Sequence, residues 1–223
     1  MKRIFLFDID GTLMRRTGPH HAEALVRAIR EVAGIDTTID GIPVHGMLDV
    51  DILTEMMGRA GCATELIAGR MHDLVRRAQE VYPDSCPDLR ACVLPGIRET
   101  LEEIASRGFP IGLVSGNLTQ IGWTKVERAG LRKYFSFGAF ADMGPTRAHL
   151  AKMAVAMAGL TGPAEATLIG DSPSDVAAAK ANGYRMVSIA TGLTSLDALT
   201  ALRPDAVLPD LSDPANRRIL IGD

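Results

Sequence analysis

Two acids separated by one residue, Asp8 and Asp10, stand at the end of the apolar run Ile4 to Phe7 in the stretch IFLFDIDGTL. A short run rich in β-formers that stops at acids reads as a buried strand delivering its carboxylates to a rim. Two residues apart on extended chain, both carboxylates can lean toward one pocket. One of such a pair can serve as a nucleophile and the other as a general acid and base. Three further places end strand-like runs with polar chemistry: Ser115-Gly116-Asn117, a basic residue near position 147, and Asp171 with Asp175 in GDSPSD. Four acids gathered at one rim would repel by ~4 kcal/mol per close pair at an effective dielectric of about 20. A divalent cation removes that repulsion, because hard cations take carboxylate oxygens as ligands. Ser115 and the amides that follow it, in a loop running into a helix, suit an anion.

Each motif also has a plainer reading. Asp-Gly is a hairpin-turn signal. Ser172 to Asp175 can be a helix cap with Pro173 at the first helical position, a role that does not exclude metal ligation. Ser115 alone is a turn serine. His45, Asp49 and Asp51 read as a helix cap with solvated charges rather than as a second metal site. The chemical reading of the acids and Ser115 is favoured because all of them fall where strands end, and in open α/β sheets ligands sit outside the carboxyl ends of the strands.

The elements that must position these residues change character along the chain. After Leu13 the pattern is helical for some eighty residues: Pro19 to Val32, then Val50 to Ala60 with Asp49 as its N-cap, then Glu65 to Tyr82 with Thr64 as a cap. Prolines at 83, 87 and 95 mark a return linker. From Pro95 helix and strand alternate, with strands at 111–114, 137–141, 166–169, 186–189 and 206–208, and Gly108, Gly130, Gly159 and Gly183 closing helices. Alternation of this kind implies a parallel sheet covered on both faces. The expected architecture is an α/β, Rossmann-like core formed by residues 1–13 and 93–223, split by a helical cap of residues 14–92.

Composition narrows the partners. The 223 residues carry 24 basic and 27 acidic side chains with no long like-charge run, so there is no electrostatic footprint for nucleic acid or an anionic membrane. A small molecule is the expected partner. The apolar run after Lys2 and Arg3 is too short for a signal peptide, and no apolar span of about 18 residues occurs. Three cysteines, Cys62, Cys86 and Cys92, leave at least one thiol unpaired, which fits a reducing, cytoplasmic setting and disfavours a Cys86–Cys92 bridge. No GxxxxGK[ST] or GxGxxG string is present. Nothing in the sequence separates a monomer from a homodimer.

Together, DIDGTL at 8–13, Ser115-Gly116 after an apolar strand, and GDSPSD at 170–175 resemble the first, second and fourth motifs of the haloacid dehalogenase-like superfamily. The third motif of that superfamily supplies a lysine about two dozen residues before the Gly-Asp pair; counting back 23 from Gly170 lands on Arg147, an arginine, with Lys152 as the fallback 18 residues before it. Arginine keeps the charge but offers a planar fork in place of a point charge. The resemblance covers the whole chain, since the helical insertion falls where the superfamily places its cap. It implies a Mg²⁺-dependent phosphatase of small phosphorylated metabolites, most like the phosphoglycolate phosphatase branch. Asp8 would be the nucleophile and Asp10 the acid and base. The Asp8 and Asp171 side chains and the Asp10 carbonyl would be metal ligands, with Asp175 nearby. Thr12, Ser115, Gly116, Asn117 and Arg147 would hold phosphate, and the pair His20-His21 at the start of the cap, His20 foremost, would face the substrate.

Relatives argue by their differences. Dehalogenases lack the second acid of the pair, so Asp10 speaks against that activity. Phosphonate-cleaving relatives use a lysine of the cap, whereas residues 14–92 contain nine arginines and no lysine. A phosphomutase similar to β-phosphoglucomutase shares every core motif and stays open. A phosphate-responsive binding protein that has lost turnover is a third reading, disfavoured by the intact acids.

Overall fold

The protein's structure is a computed structural model that describes residues 3–16, 18–159 and 166–222; Lys2, counted above among the basic residues, lies outside them. Six parallel strands form one sheet in the order β3-β2-β1-β4-β5-β6, where β1 is Ile4–Phe7, β2 Ile111–Val114, β3 Phe137–Ala139, β4 Ala166–Gly170, β5 Arg185–Ile189 and β6 Ala206–Leu208. Every residue of β1, β2 and β4 is buried. Because side chains alternate faces along a strand, this pattern means that both faces of the sheet are covered. β1 sits between its partners with Phe5 opposite Ile111 on one side and Thr167 on the other. The strand order reverses there, so the crevice beyond the ends of β1 and β4 is where a ligand belongs.

Three helices intervene between β1 and the rest of the core: α1 (His20–Ala33), α2 (Asp49–Arg59) and α3 (Thr64–Ser85). They bury Leu25 and Ile29 of α1, Leu53 and Met56 of α2, and Leu74 and Ala78 of α3. The helices α4 (Ile97–Ser106), α5 (Thr119–Arg128), α6 (Arg147–Met157), α7 (Pro173–Asn182), α8 (Leu196–Ala201) and α9 (Pro214–Ile221) complete the order. The three thiols are free. No described helix is long and apolar enough to cross a membrane.

Four expectations about elements are corrected. Pro83 does not end α3, which continues to Ser85; proline removes only its own bond back to the carbonyl of Gln79, and the amides after it still bond, as that of Cys86 does to the Tyr82 carbonyl at 3.0 Å. Neither Asp49 nor Thr64 is an N-cap: each lies inside its helix, and the caps are Leu48 and Ala63 without side-chain bonds. β3 stops at Ala139, and a 3-10 turn at Ala141–Met143 follows. Finally, α9 was not anticipated, although Asp213 caps it and Pro214 takes its first position, a start signal written in the sequence.

Helix α5 has an unusual N-terminus. Its cap residue Leu118 offers no side-chain acceptor, and the helix's leading amides are satisfied from elsewhere. The amide of Leu118 donates to Asp49 Oδ2 at 2.8 Å, Thr119 to Asp142 Oδ1 at 2.8 Å and Gln120 to Gln79 Oε1 at 2.8 Å. Two of those three acceptors come from the inserted helices.

Candidate active site

Asp8 follows β1 directly, and its amide continues the sheet by donating to the Ile169 carbonyl at 2.9 Å. Asp171 follows β4 in the same way, so two acids remote in sequence meet at adjacent strand ends. Arg147, at the start of α6, donates through Nη1 to Asp8 Oδ1 and to the Val114 carbonyl, both at 3.0 Å, and its Nε lies 3.5 Å from Asp175 Oδ1. The position predicted for the third motif is therefore at the site, and Lys152, further along α6, is exposed.

Asp175 has two roles. Its Oδ2 accepts from the amide and hydroxyl of Ser172 at 3.2 and 2.6 Å in a reciprocal capping box of α7, which leaves Oδ1 toward the other acids. Asp8, Asp171 and Asp175 each offer an oxygen within 4.8 Å of the others. Asp171 Oδ2 and Asp175 Oδ1 are buried without a hydrogen-bond partner. Burial pushes the Asp171 carboxyl up to about 8, with Asp8 and Asp175 adding to it. Burial likewise pushes Asp8 up to about 6 against the pull of Arg147. Three buried carboxylates, two of them with an orphaned oxygen, face the single positive charge of Arg147, and that donor set fits a hard divalent cation.

Ser115 is fully buried, and its Oγ accepts from the amide and the Nδ2 of Asn117 at 3.4 and 2.7 Å. Gly116 has no room for a side chain because the Met47 carbonyl of the insertion presses on it. The amide of Asp49 also donates to the Gly116 carbonyl at 2.8 Å. The insertion is thus seated on the loop that would hold an anion. A second seat joins His45 Nε2 to Thr194 Oγ1 at 2.8 Å.

Between the two parts lies a cavity of about 180 Å³. The core lines it with Asp8, Asp10, Ser115, Arg147 and Asp171, and the insertion with Arg16, His21, His45, Asp49 and apolar residues such as Leu25 and Ile52.

Two sequence expectations land elsewhere. Thr12 is buried with its hydroxyl 3.3 Å from Asp171 Oδ1 and does not line the cavity, so it braces an acid and is not placed to hold phosphate. His20 lies at the first turn of α1 with Nδ1 3.9 Å from Glu23; its neighbour His21, about 100° further round the helix, lines the cavity. The side chain of Asp10, expected as acid and base with only its carbonyl at the metal, stands outside the group of three acids and is taken up by cationic and amide donors.

Sequence reasoning missed Lys125. This buried side chain of α5 reaches Asp10 Oδ2 at 2.6 Å, Asn117 Oδ1 at 2.7 Å and His21 Nδ1 at 3.2 Å. Asn117 Nδ2 donates to the same Asp10 oxygen at 2.8 Å. Although burial opposes it, Lys125, with His21 and Asn117, holds the Asp10 carboxyl down at about 2. The cavity therefore does contain a lysine, supplied by the core and not by the insertion. Its hydrogens are committed to three acceptors, unlike those of a free amine nucleophile.

Comparison with known proteins agrees with this geometry. Residues 2–183 match the family model described as haloacid dehalogenase-like hydrolase. The protein named Probable phosphatase IndB of Dickeya dadantii is 26% identical over 223 residues, 96% of this chain and 92% of that protein. A phosphoglycolate phosphatase of Yersinia pestis is 27% identical over 217 residues, covering 93% and 89% respectively. Among solved structures, a β-phosphoglucomutase from Clostridium difficile superposes with a TM-score of 0.70 at 18% identity, covering 95% of this chain and 92% of that one.

Proposed function

The chain belongs to the haloacid dehalogenase-like hydrolases, and from that footing we propose that it is a Mg²⁺-dependent phosphomonoesterase of small phosphorylated metabolites, working through an aspartyl phosphate on Asp8. The observation that carries this reading is the Asp8 carboxylate held 3.0 Å from Arg147 at the end of the central strand, with Asp171 and Asp175 beside it. The names of the sequence relatives support a phosphatase.

Asp8 attacks phosphorus while the ester bond to the leaving oxygen breaks, and Asp10, which must first take up a proton against the hold of Lys125, gives that oxygen the proton. Asp10 then takes a proton from water as the water oxygen bonds to phosphorus and the Asp8–phosphorus bond breaks. Arg147 balances charge on the phosphoryl oxygens, and Ser115 with the amides of Gly116 and Asn117 orients them. Asp8, Asp171 and the Asp10 carbonyl, with Asp175 nearby, would hold Mg²⁺, which supplies charge neutralisation around the phosphoryl group. Residues 14–92 act as a cap that excludes water and selects the leaving group.

The test is phosphate release from a panel of phosphoglycolate and hexose phosphates, with Mg²⁺ or with chelator, beside the Asp8→Asn variant. Metal-dependent release lost in the variant is expected. Interconversion of hexose phosphates in place of release would make the protein a phosphomutase.

A further inference from the structure

Among the described residues only two basic side chains are buried, Arg147 and Lys125. Arg147 serves Asp8. Lys125 serves Asp10 from a different helix, and nothing in the reaction as derived above uses it. Its surroundings dictate how it is oriented. An ammonium has three hydrogens and accepts nothing. The three acceptors around Nζ are Asp10 Oδ2, Asn117 Oδ1 and His21 Nδ1. The ring proton of His21 then sits on Nε2, which donates to Asp49 Oδ2 at 2.9 Å. Asp49 in turn accepts from the amide of Leu118, the cap residue about two turns before Lys125 on the same helix. The loop of contacts is closed: helix, acid, imidazole, ammonium and back to helix. Within it Lys125 has little freedom to move.

At the other end, Asp10 gives one oxygen to this frame. Oδ2 accepts from both Lys125 and Asn117, and no described protein donor occupies Oδ1. A carboxyl pinned by one oxygen carries its proton on the other, in a single orientation, although the same ammonium lowers its affinity for that proton.

We propose that Lys125 is a positioning residue for Asp10: fixed by Asn117 and His21, its ammonium holds Oδ2 so that Oδ1 faces the leaving-group oxygen. This rests on the reading of Asp10 as the group that handles the proton. Lys125 acts through Asp10 and not on the phosphoryl group, which has Arg147. Its loss matters in proportion to how much the leaving group needs a proton.

That dependence separates positioning from mere structure. The variants Lys125→Met and Lys125→Arg are compared with wild type in Mg²⁺, on p-nitrophenyl phosphate and on whichever of phosphoglycolate and the hexose phosphates wild type turns over. Nitrophenolate leaves without a proton. In Lys125→Met its release in the first turnover is expected to stay within about threefold of wild type, whereas cleavage of the alkyl ester falls about 100-fold, the scale of a general acid's contribution. Equal losses on both esters would overturn the proposal. Adding Lys125→Met to Asp10→Ala is expected to cost the alkyl ester less than a further twofold, and a further tenfold loss would overturn it too. Melting curves report whether each variant is folded. If Lys125→Met does not fold, Lys125→Arg carries both comparisons, since a guanidinium keeps the charge without serving three acceptors from one nitrogen. Wild type that releases neither nitrophenolate nor phosphate would instead overturn the phosphatase reading, and this role with it.

Discussion

The carboxylate of Asp49, on an inserted helix, lies 2.8 Å from the amide of Leu118, at the head of a core helix. A side chain from one part of the molecule thereby caps a helix of the other, directly behind the residues assigned to phosphate.

Asp49→Ala removes that cap and leaves the Leu118 amide and the His21 Nε2 proton without acceptors. The expected cost is about 1–2 kcal/mol in urea unfolding, the range for loss of a helix cap. Phosphate release should fall as well, because the insertion loses its seat beside Gly116. Unchanged stability would show that the Asp49 contact contributes nothing net.

Asp8→Asn should abolish phosphate release and leave the melting curve near that of wild type, since the amide is isosteric and removes a buried charge. Activity within tenfold of wild type would remove Asp8 from the nucleophile's role.

Arg147→Ala strips the counter-charge from Asp8 and Asp175. Turnover is expected to drop by at least ~100-fold, the scale of losing one oxyanion donor, and the buried acids left unpaired should cost about 3–5 kcal/mol. Lys152→Ala, on the exposed side of the same helix, should change turnover less than about twofold. The reverse ranking would move the third motif to Lys152.

Stability in chelator should fall as pH rises. Asp8 at about 6 and Asp171 at about 8 stand above the ordinary carboxylate value of 3.8, so the folded protein keeps protons that the unfolded chain releases. Their contribution is complete below that ordinary value and is lost as pH climbs through 6 to 8. Asp10, held down at about 2, acts only at lower pH. His45, kept below its usual value by burial and Arg16, opposes the trend. Melting temperatures from pH 5 to 8 should therefore decline, decline less in Asp171→Asn, and recover on adding Mg²⁺. A flat or rising profile in chelator would contradict the charge state assigned to the acid cluster.

The acids were readable because a strand end is a local event: an apolar run stops and a carboxylate follows, at Asp8 and again at Asp171. Arg147 was reached only through the superfamily resemblance, whose third motif lies a set distance before Gly170. Lys125 was missed because a lysine in a helix looks like solvated surface, yet Leu118, Ile121, Gly122, Val126 and Ala129 form the buried stripe of that helix, and position 125 falls on it. A charge on an apolar stripe was the available signal. Choosing His20 over His21 was an error of one residue, but on a helix one residue is about 100°. Asp49 was read as capping its own helix because sequence shows only neighbours; the helix it caps begins at Thr119.

The position of β1 has a consequence for how the protein reaches its folded state. Its four apolar residues have partners only in β2, beyond the whole of the three-helix insertion, and in β4, beyond that insertion and two further strands. Such pairings carry a high loop-closure cost and are slow to form. Until both neighbours arrive, IFLF is an apolar strand with two open edges, the type of segment that invites association between chains. The same central placement that brings Asp8 and Asp171 together thus makes the site wait on β4, the fourth of the six strands in chain order.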